Sequence, residues 1–123
     1  RLEAALSRLN IKNSTAIRVD NLIMFSGMTG IDLESGLAIE GGIEPQARSV
    51  LQIFADILAD LGLSLDNVVK VTAQLANIDD FAGWNEVFLD VFEPPYPCRT
   101  TTGAPLVVGD LEVEIVASIE PRR

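Results

Sequence analysis

The most restrictive feature of this sequence is a helix signal that runs from Pro45 to Gly62. Proline favours the first turn of a helix and glycine favours the position just beyond its end, so both ends of the segment are marked. Between them, apolar residues recur three or four positions apart, at Ala47, Val50, Leu51, Phe54, Leu58 and Leu61. This spacing predicts an amphipathic helix that buries one face against another layer of structure.

Strand signals precede this helix. The runs AIRV and NLIMFSG are separated by Asp20-Asn21, a pair suited to a tight turn, and together they predict a β-hairpin. The following segment, residues 30–42, contains four glycines and a Glu34-Ser35-Gly36 turn signal, which indicates a loop. Because loops beside a sheet often carry binding residues, we expect this one to line a pocket.

A second strand and helix pair follows. Apolar and polar residues alternate over 69–75, which is typical of a strand with one buried face. Residues 79–91 then predict a helix with acids at its start, and Pro94-Pro95 ends it. Its aromatic residues are interpreted as helix core rather than as a ligand cage; they are Phe81, Trp84 and Phe88.

The last third of the chain predicts two strands, RTTTGAPL and LEVEIVASI, joined by a turn at Gly109-Asp110. Paired as a hairpin, they place Arg99 near residues 118–120 and Glu114 near Pro105. Both side chains then face the same side of the sheet, roughly 20 Å apart. One chain would therefore not bring both groups to one small substrate, whereas a neighbouring subunit could.

The complete order of elements is β-β-α-β-α-β-β, which predicts an α+β fold in one domain spanning residues 1–123. Residues 1–12 form a helical extension in this interpretation, because Leu2, Leu6 and Leu9 share one helical face. Two helices cover only one face of the mixed sheet. Since apolar residues remain on the other face, we expect another subunit to cover it.

Charge and composition exclude several classes of function. The chain has 18 acidic and 9 basic residues, a net charge of -9, which repels nucleic acid and anionic membranes. No apolar run is long enough to span a membrane. Cys98 is the only cysteine, so a disulfide or thiolate metal cluster cannot form within one chain, and a cytoplasmic, reducing location fits best. The absence of histidine excludes Ser-His-Asp and Cys-His nucleophiles.

Four strings in fixed order resemble the Rid (YjgF) family across nearly the whole chain after the first dozen residues. They are NLIMFSG, the stretch from EPQARS to NEVF, PYPCRTTTGAPL and LEVEIVA. The resemblance implies a chorismate-mutase-like fold assembled as a homotrimer, with clefts between subunits and no metal or organic cofactor. It further implies hydrolytic deamination of reactive 2-imino and enamine acids to 2-keto acids and ammonia, the activity of 2-iminobutanoate/2-iminopropanoate deaminases.

Position by position, the resemblance assigns Arg99 to the substrate carboxylate and Glu114 to the attacking water. Pocket positions are assigned to Ser26, Gly27 and Asn85. Two further pocket positions depart from the family pattern: Asn13, or a close neighbour, stands where members have tyrosine, and Thr101 stands where they have cysteine. These departures affect the expected substrate preference.

Each assignment has a simpler alternative. Arg99 can be a structural arginine paired with an acid, and Glu114 can lie on a solvated strand face, although Val116 on the same parity argues against full solvation. Cys98 is a weaker candidate nucleophile because no histidine is present to activate it.

Two other functions compete with deamination. The protein can be a trimer that binds carboxylates without turnover, which Asn13 and Thr101 would favour. A ribonuclease or translation inhibitor, a label that some relatives carry, is opposed by the acidic charge and the missing histidine.

Overall fold

The computed structural model describes residues 12–123. The predicted extension at residues 1–12, with its helix signal, lies almost wholly outside the described residues. The described chain contains the following elements: β1 (Ala16–Val19), β2 (Leu22–Phe25), β3 (Met28–Thr29), α1 (Ile43–Asp60), β4 (Val68–Leu75), α2 (Phe81–Val91), β5 (Cys98–Gly103) and β6 (Leu111–Ser118). The two predicted helices and the predicted strands are confirmed, with β3 as an additional short strand.

Helix α1 ends as its sequence predicts. The backbone N–H of Leu63 donates to the carbonyl oxygen of Leu58, and that of Gly62 donates to Ala59. Gly62 has a φ of 77°, the left-handed conformation that glycine adopts without steric cost. The apolar face of α1 is buried in the core together with α2 and one face of the sheet; its members are Ala47, Val50, Leu51, Phe54 and Leu58.

The strands form one mixed sheet in the order β1-β2-β6-β4-β5, and β3 also pairs with β6. Among the strand pairs of residues 12–123, only β4–β5 is parallel. Alternate residues of the strands join both helices in the core, so the helices lie on one face. The predicted α+β architecture is therefore confirmed, including a sheet that is covered on one side.

The predicted pairing of the last two strands is wrong. Strand β4 lies between β5 and β6, pairing in parallel with β5 and antiparallel with β6. The segment around Gly109 and Asp110 is therefore part of a connection across β4 rather than a hairpin turn. Period-two alternation identifies the two faces of a strand but not its neighbour, which depends on contacts made after the chain has folded.

The face of the sheet opposite the helices, here called the open face, divides into two regions. On β1 and β2 it is apolar: Ile17, Val19, Leu22 and Met24 remain 52%, 52%, 41% and 48% exposed. On β4 and β6 it is largely polar, with Lys70, Thr72, Gln74, Glu112 and Glu114. The surplus of apolar residues on this face agrees with the sequence prediction.

Candidate active site

Arg99 extends from β5, at the edge of the sheet, to helix α2. Its Nη1 donates a 2.8 Å hydrogen bond to Oδ1 of Asn85. Its Cζ lies 4.4 Å from the centre of the Phe88 ring and 5.4 Å from that of Phe81. Cation–π attraction thus adds to the hydrogen bond in holding the guanidinium. Burial lowers the pKa of Arg99 from its usual value, yet an arginine remains charged at neutral pH.

No carboxylate within residues 12–123 forms a salt bridge with Arg99. The salt bridges of this region join Arg48 to Asp90 and Arg123 to Glu120. The alternative in which Arg99 pairs with an internal acid is therefore not what the described chain shows. A guanidinium has five N–H donors, and those left by Asn85 can bind a carboxylate through parallel hydrogen bonds.

Two predicted pocket residues, Ser26 and Gly27, lie between β2 and β3. The hydroxyl of Ser26 donates a 2.6 Å hydrogen bond to the carbonyl oxygen of Ser14 and accepts one of 3.3 Å from Nδ2 of Asn13. Beside it, a Cβ on Gly27 would come within 3.1 Å of the Glu112 side chain. The bare backbone of Gly27 therefore leaves room for a carboxylate on β6.

Glu114 lies on the open face of β6, directly beside Thr72 of β4. The two side chains line a surface cavity of about 230 Å³, together with Met24, Lys70 and Val116. The Glu114 side chain is exposed to solvent in the single chain. Val116, on the same face of β6, therefore does not by itself shield the Glu114 carboxylate from water. The loop over residues 30–42, which we expected to line a pocket, contributes nothing to this cavity.

Arg99 and Glu114 lie on opposite faces of the sheet. Arg99 is in register with the buried residue Val71, whereas Glu114 is in register with Thr72, the next residue along β4. With β4 between their strands, the two backbones are about 10 Å apart. The predicted common face and separation are therefore wrong, because they assumed a β5–β6 hairpin. One chain still does not bring the two groups together, because their side chains leave opposite faces of the sheet.

Thr101 shares the helix-covered face with Arg99. Its hydroxyl oxygen accepts a 3.2 Å hydrogen bond from Nε1 of Trp84, which is fully buried. Trp84 is thus helix core, as its spacing predicted. The indole N–H therefore holds the Thr101 hydroxyl in place. Thr101 is one of the two pocket positions at which this chain departs from the family pattern.

Phe81 and Phe88 have a role that sequence reasoning did not assign. Both were interpreted as helix core, which is confirmed for buried Phe88 but wrong for Phe81, which is the first residue of α2 and remains 39% exposed. Both rings contact the guanidinium of Arg99. Together with Asn85 they follow the spacing i, i+4 and i+7, which places them on one face of α2. That spacing was visible in the sequence, but nothing in it indicated that this face meets β5.

Cys98 is an exposed free thiol. Its backbone is in register with Lys70 of β4, on the face opposite the Arg99 side chain. The adjacent arginine is therefore not directed at the thiol. Across residues 12–123, acidic and thiol side chains form no group of three that could hold a metal ion.

Comparison with known families gives a match over nearly the whole chain. Residues 6–120 match the family model described as Endoribonuclease L-PSP. Within residues 12–123, no helix is both long and apolar enough to cross a membrane.

Individual relatives give similar coverage. A RutC family protein from Pyrococcus abyssi is 36% identical over 104 residues, which cover 85% of this chain and 82% of that protein. A human 2-iminobutanoate/2-iminopropanoate deaminase is 38% identical over 106 residues, covering 85% and 77%.

Solved structures share the fold. Yeast Mmf1 superposes with a TM-score of 0.79 at 32% identity, covering 88% of this chain and 87% of that one. RidA from an Antarctic Psychrobacter superposes with a TM-score of 0.76 at 33% identity, covering 87% and 88%. These likenesses establish that the chain belongs to the Rid (YjgF) family.

Proposed function

We propose that this protein is a cofactor-independent hydrolase that converts reactive 2-imino and enamine acids into 2-keto acids and ammonia. The proposal rests on the contacts and the unpaired charge of Arg99. Its guanidinium is held by Asn85 and two rings, and no acid in the described residues neutralises it. Relatives named as deaminases, 35–38% identical to this chain, support the same activity.

The proposed reaction begins with the substrate carboxylate on Arg99, which fixes the position of the neighbouring imine carbon. Glu114 accepts a proton from water as the water oxygen bonds to that carbon and the π electrons of the C=N bond move to nitrogen. Glu114 passes this proton to the nitrogen, which gives a carbinolamine. Glu114 then takes the proton of the carbinolamine hydroxyl and delivers it to the nitrogen as the C=O bond forms, so that the C–N bond breaks and ammonia leaves. An enamine enters the same route after it gains a proton at C3.

The proposed active unit is a homotrimer with a site in each cleft between subunits. Because Arg99 and Glu114 face opposite sides of one sheet, a shared site needs the arginine of one chain and the glutamate of another. The exposed apolar residues of β1 and β2 supply surface for such an assembly. In this arrangement Ser26 and Gly27 lie on the glutamate side of the cleft, while Thr101 lies on the arginine side.

A turnover assay tests the activity. An amino acid oxidase releases 2-iminopropanoate from alanine, and semicarbazide competes for the imine, so deamination appears as loss of the semicarbazone absorbance. We expect Arg99→Lys to lower kcat/KM at least about tenfold, because an ammonium keeps the charge without the planar fork. Arg48→Lys is the matched control, since Arg48 pairs with Asp90 on the helix surface. Unchanged kcat/KM for Arg99→Lys would remove Arg99 from the site.

Carboxylate binding without turnover is the second candidate, favoured by the engagement of Thr101 with Trp84. Calorimetric titration with 2-oxobutanoate would then show saturable binding that depends on Arg99, while the imine assay would show no acceleration. We further propose a cytoplasmic location, because a single exposed cysteine is compatible with a reducing compartment.

A further inference from the structure

Arg122, which follows β6, donates four side-chain hydrogen bonds. All of its acceptors are backbone carbonyl oxygens. Nε donates to Pro95 at 2.5 Å, Nη1 to Leu65 at 2.7 Å and to Val68 at 2.8 Å, and Nη2 to Glu93 at 3.1 Å. Four of the five donors of the guanidinium are therefore used without any carboxylate partner.

These carbonyls belong to two places that matter for the proposed site. Val68 is the first residue of β4, the strand beside β5, and Leu65 lies in the short 3-10 turn directly before it. Glu93 and Pro95 lie in the connection between the end of α2 and the start of β5. Arg122 therefore ties the connection between α2 and β5 to the segment in which β4 begins.

A line of aromatic rings joins the two arginines directly. The Cζ of Arg122 lies 5.7 Å from the centre of the Phe92 ring. The Phe92 and Phe88 ring centres are 4.8 Å apart, and Phe88 in turn contacts the Arg99 guanidinium. Both rings are almost fully buried, at 2% and 3% exposed, so neither moves without displacing its neighbours.

We propose that Arg122 is a positioning residue for Arg99, acting through Phe92 and Phe88 and through the 92–97 connection. The inference rests on the proposed function, because it assigns Arg122 to the alignment of the carboxylate-binding fork. When Arg122 is replaced, the carbonyl oxygens of Glu93 and Pro95 in this connection lose the hydrogen bonds that Arg122 donates. The Phe88 ring then shifts, and the guanidinium of Arg99 turns away from its productive angle.

The test compares Arg122→Lys with Arg123→Lys, its matched control. Arg123 is the next residue, but its side chain is 86% exposed and bonds only to Glu120. Phe92→Leu is a second variant that interrupts the line of rings and leaves the hydrogen bonds of Arg122 in place. Ile23→Val controls for general loss of stability, because Ile23 is buried on β2, on the far side of β6 and β4 from β5.

Binding and turnover are measured at a temperature where every variant is folded. We expect Arg122→Lys to raise both KM for the imino acid and Kd for 2-oxobutanoate about tenfold, with kcat little changed, since a misaligned carboxylate anchor weakens ground state and transition state alike. Phe92→Leu should change them in the same direction. Arg123→Lys and Ile23→Val should change neither constant.

A spectroscopic measurement separates this proposal from the proposed function. In protein labelled with 15N-arginine, the Nε–Hε resonance of Arg99, assigned by its loss in Arg99→Lys, reports the ring current of Phe88. We expect Arg122→Lys to shift this resonance and Arg123→Lys to leave it in place. A shift in a protein that neither binds 2-oxobutanoate nor deaminates imines would sustain the positioning role and reject the function. An unshifted resonance, or wild-type KM and Kd in Arg122→Lys, would overturn the role of Arg122.

Discussion

Two inactive variants of this protein should restore activity to one another when they assemble together. The substitutions are Arg99→Ala and Glu114→Ala, which remove the proposed carboxylate anchor and the proposed base. Their side chains leave opposite faces of one sheet, from strands whose backbones are about 10 Å apart. If each cleft therefore takes the arginine of one chain and the glutamate of the next, neither pure variant contains a complete site.

The size of the rescue follows from this arrangement. A cleft is complete only when its arginine comes from a Glu114→Ala chain and its glutamate from an Arg99→Ala chain. In an equal random mixture each condition is met in half of the cases, so about a quarter of the clefts are complete. We expect about a quarter of wild-type activity if the clefts act independently.

Wild-type chains mixed equally with the double variant Arg99→Ala/Glu114→Ala provide a sharper control. Sites shared between chains again give about a quarter of full activity, whereas sites contained within one chain give about a half. Both pairs should be co-expressed, and native mass spectrometry should establish the composition of the assemblies before the imine assay. Mixed trimers without rescue, together with half activity in the control, would refute the argument from opposite faces.

Two substitutions in buried parts of the fold should reduce stability. Gly30→Ala should lower the free energy of unfolding in urea by about 1–3 kcal/mol, because its Cβ would lie 2.5 Å from the Cβ of buried Gln46. Gly103→Ala is the control, since its Cβ would meet only ordinary contacts from 3.6 Å outward, and an equal loss in both variants would contradict this reasoning. Trp84→Phe should cost roughly 1–3 kcal/mol, because it removes the bond to Thr101 and leaves space in the core; an unchanged midpoint of thermal unfolding would show that the bond contributes nothing.

Local patterns predicted the elements of the fold well. The ends of α1 were visible as a proline and a glycine, and Gly62 has the left-handed conformation that its position required. The alternation over β4 and β6 identified which of their residues face the core. These predictions succeeded because helix caps and strand periodicity depend on residues within a few positions of each other.

The candidate site could be predicted only in part. Family resemblance selected Arg99 and Asn85 separately, and the structure brings them to 2.8 Å from each other. It gave no role to Phe81 or Phe88, whose contact with the arginine depends on how α2 packs against β5. The resemblance also gave no role to Arg122. Its acceptors are backbone carbonyls, which every residue type provides, so no sequence pattern marks them.

The sequence by itself determined the type and order of the elements other than β3 and the buried faces of α1, β4 and β6. It also showed that no histidine takes part in any mechanism of this chain. The tertiary structure alone decided that β4 lies between β5 and β6, and hence that Arg99 and Glu114 face opposite sides. The physical reason is that strand order arises from pairing between residues distant in the chain. A parallel β4–β5 pair leaves no local signal, because its partners are 28 positions apart, as Lys70 and Cys98 are.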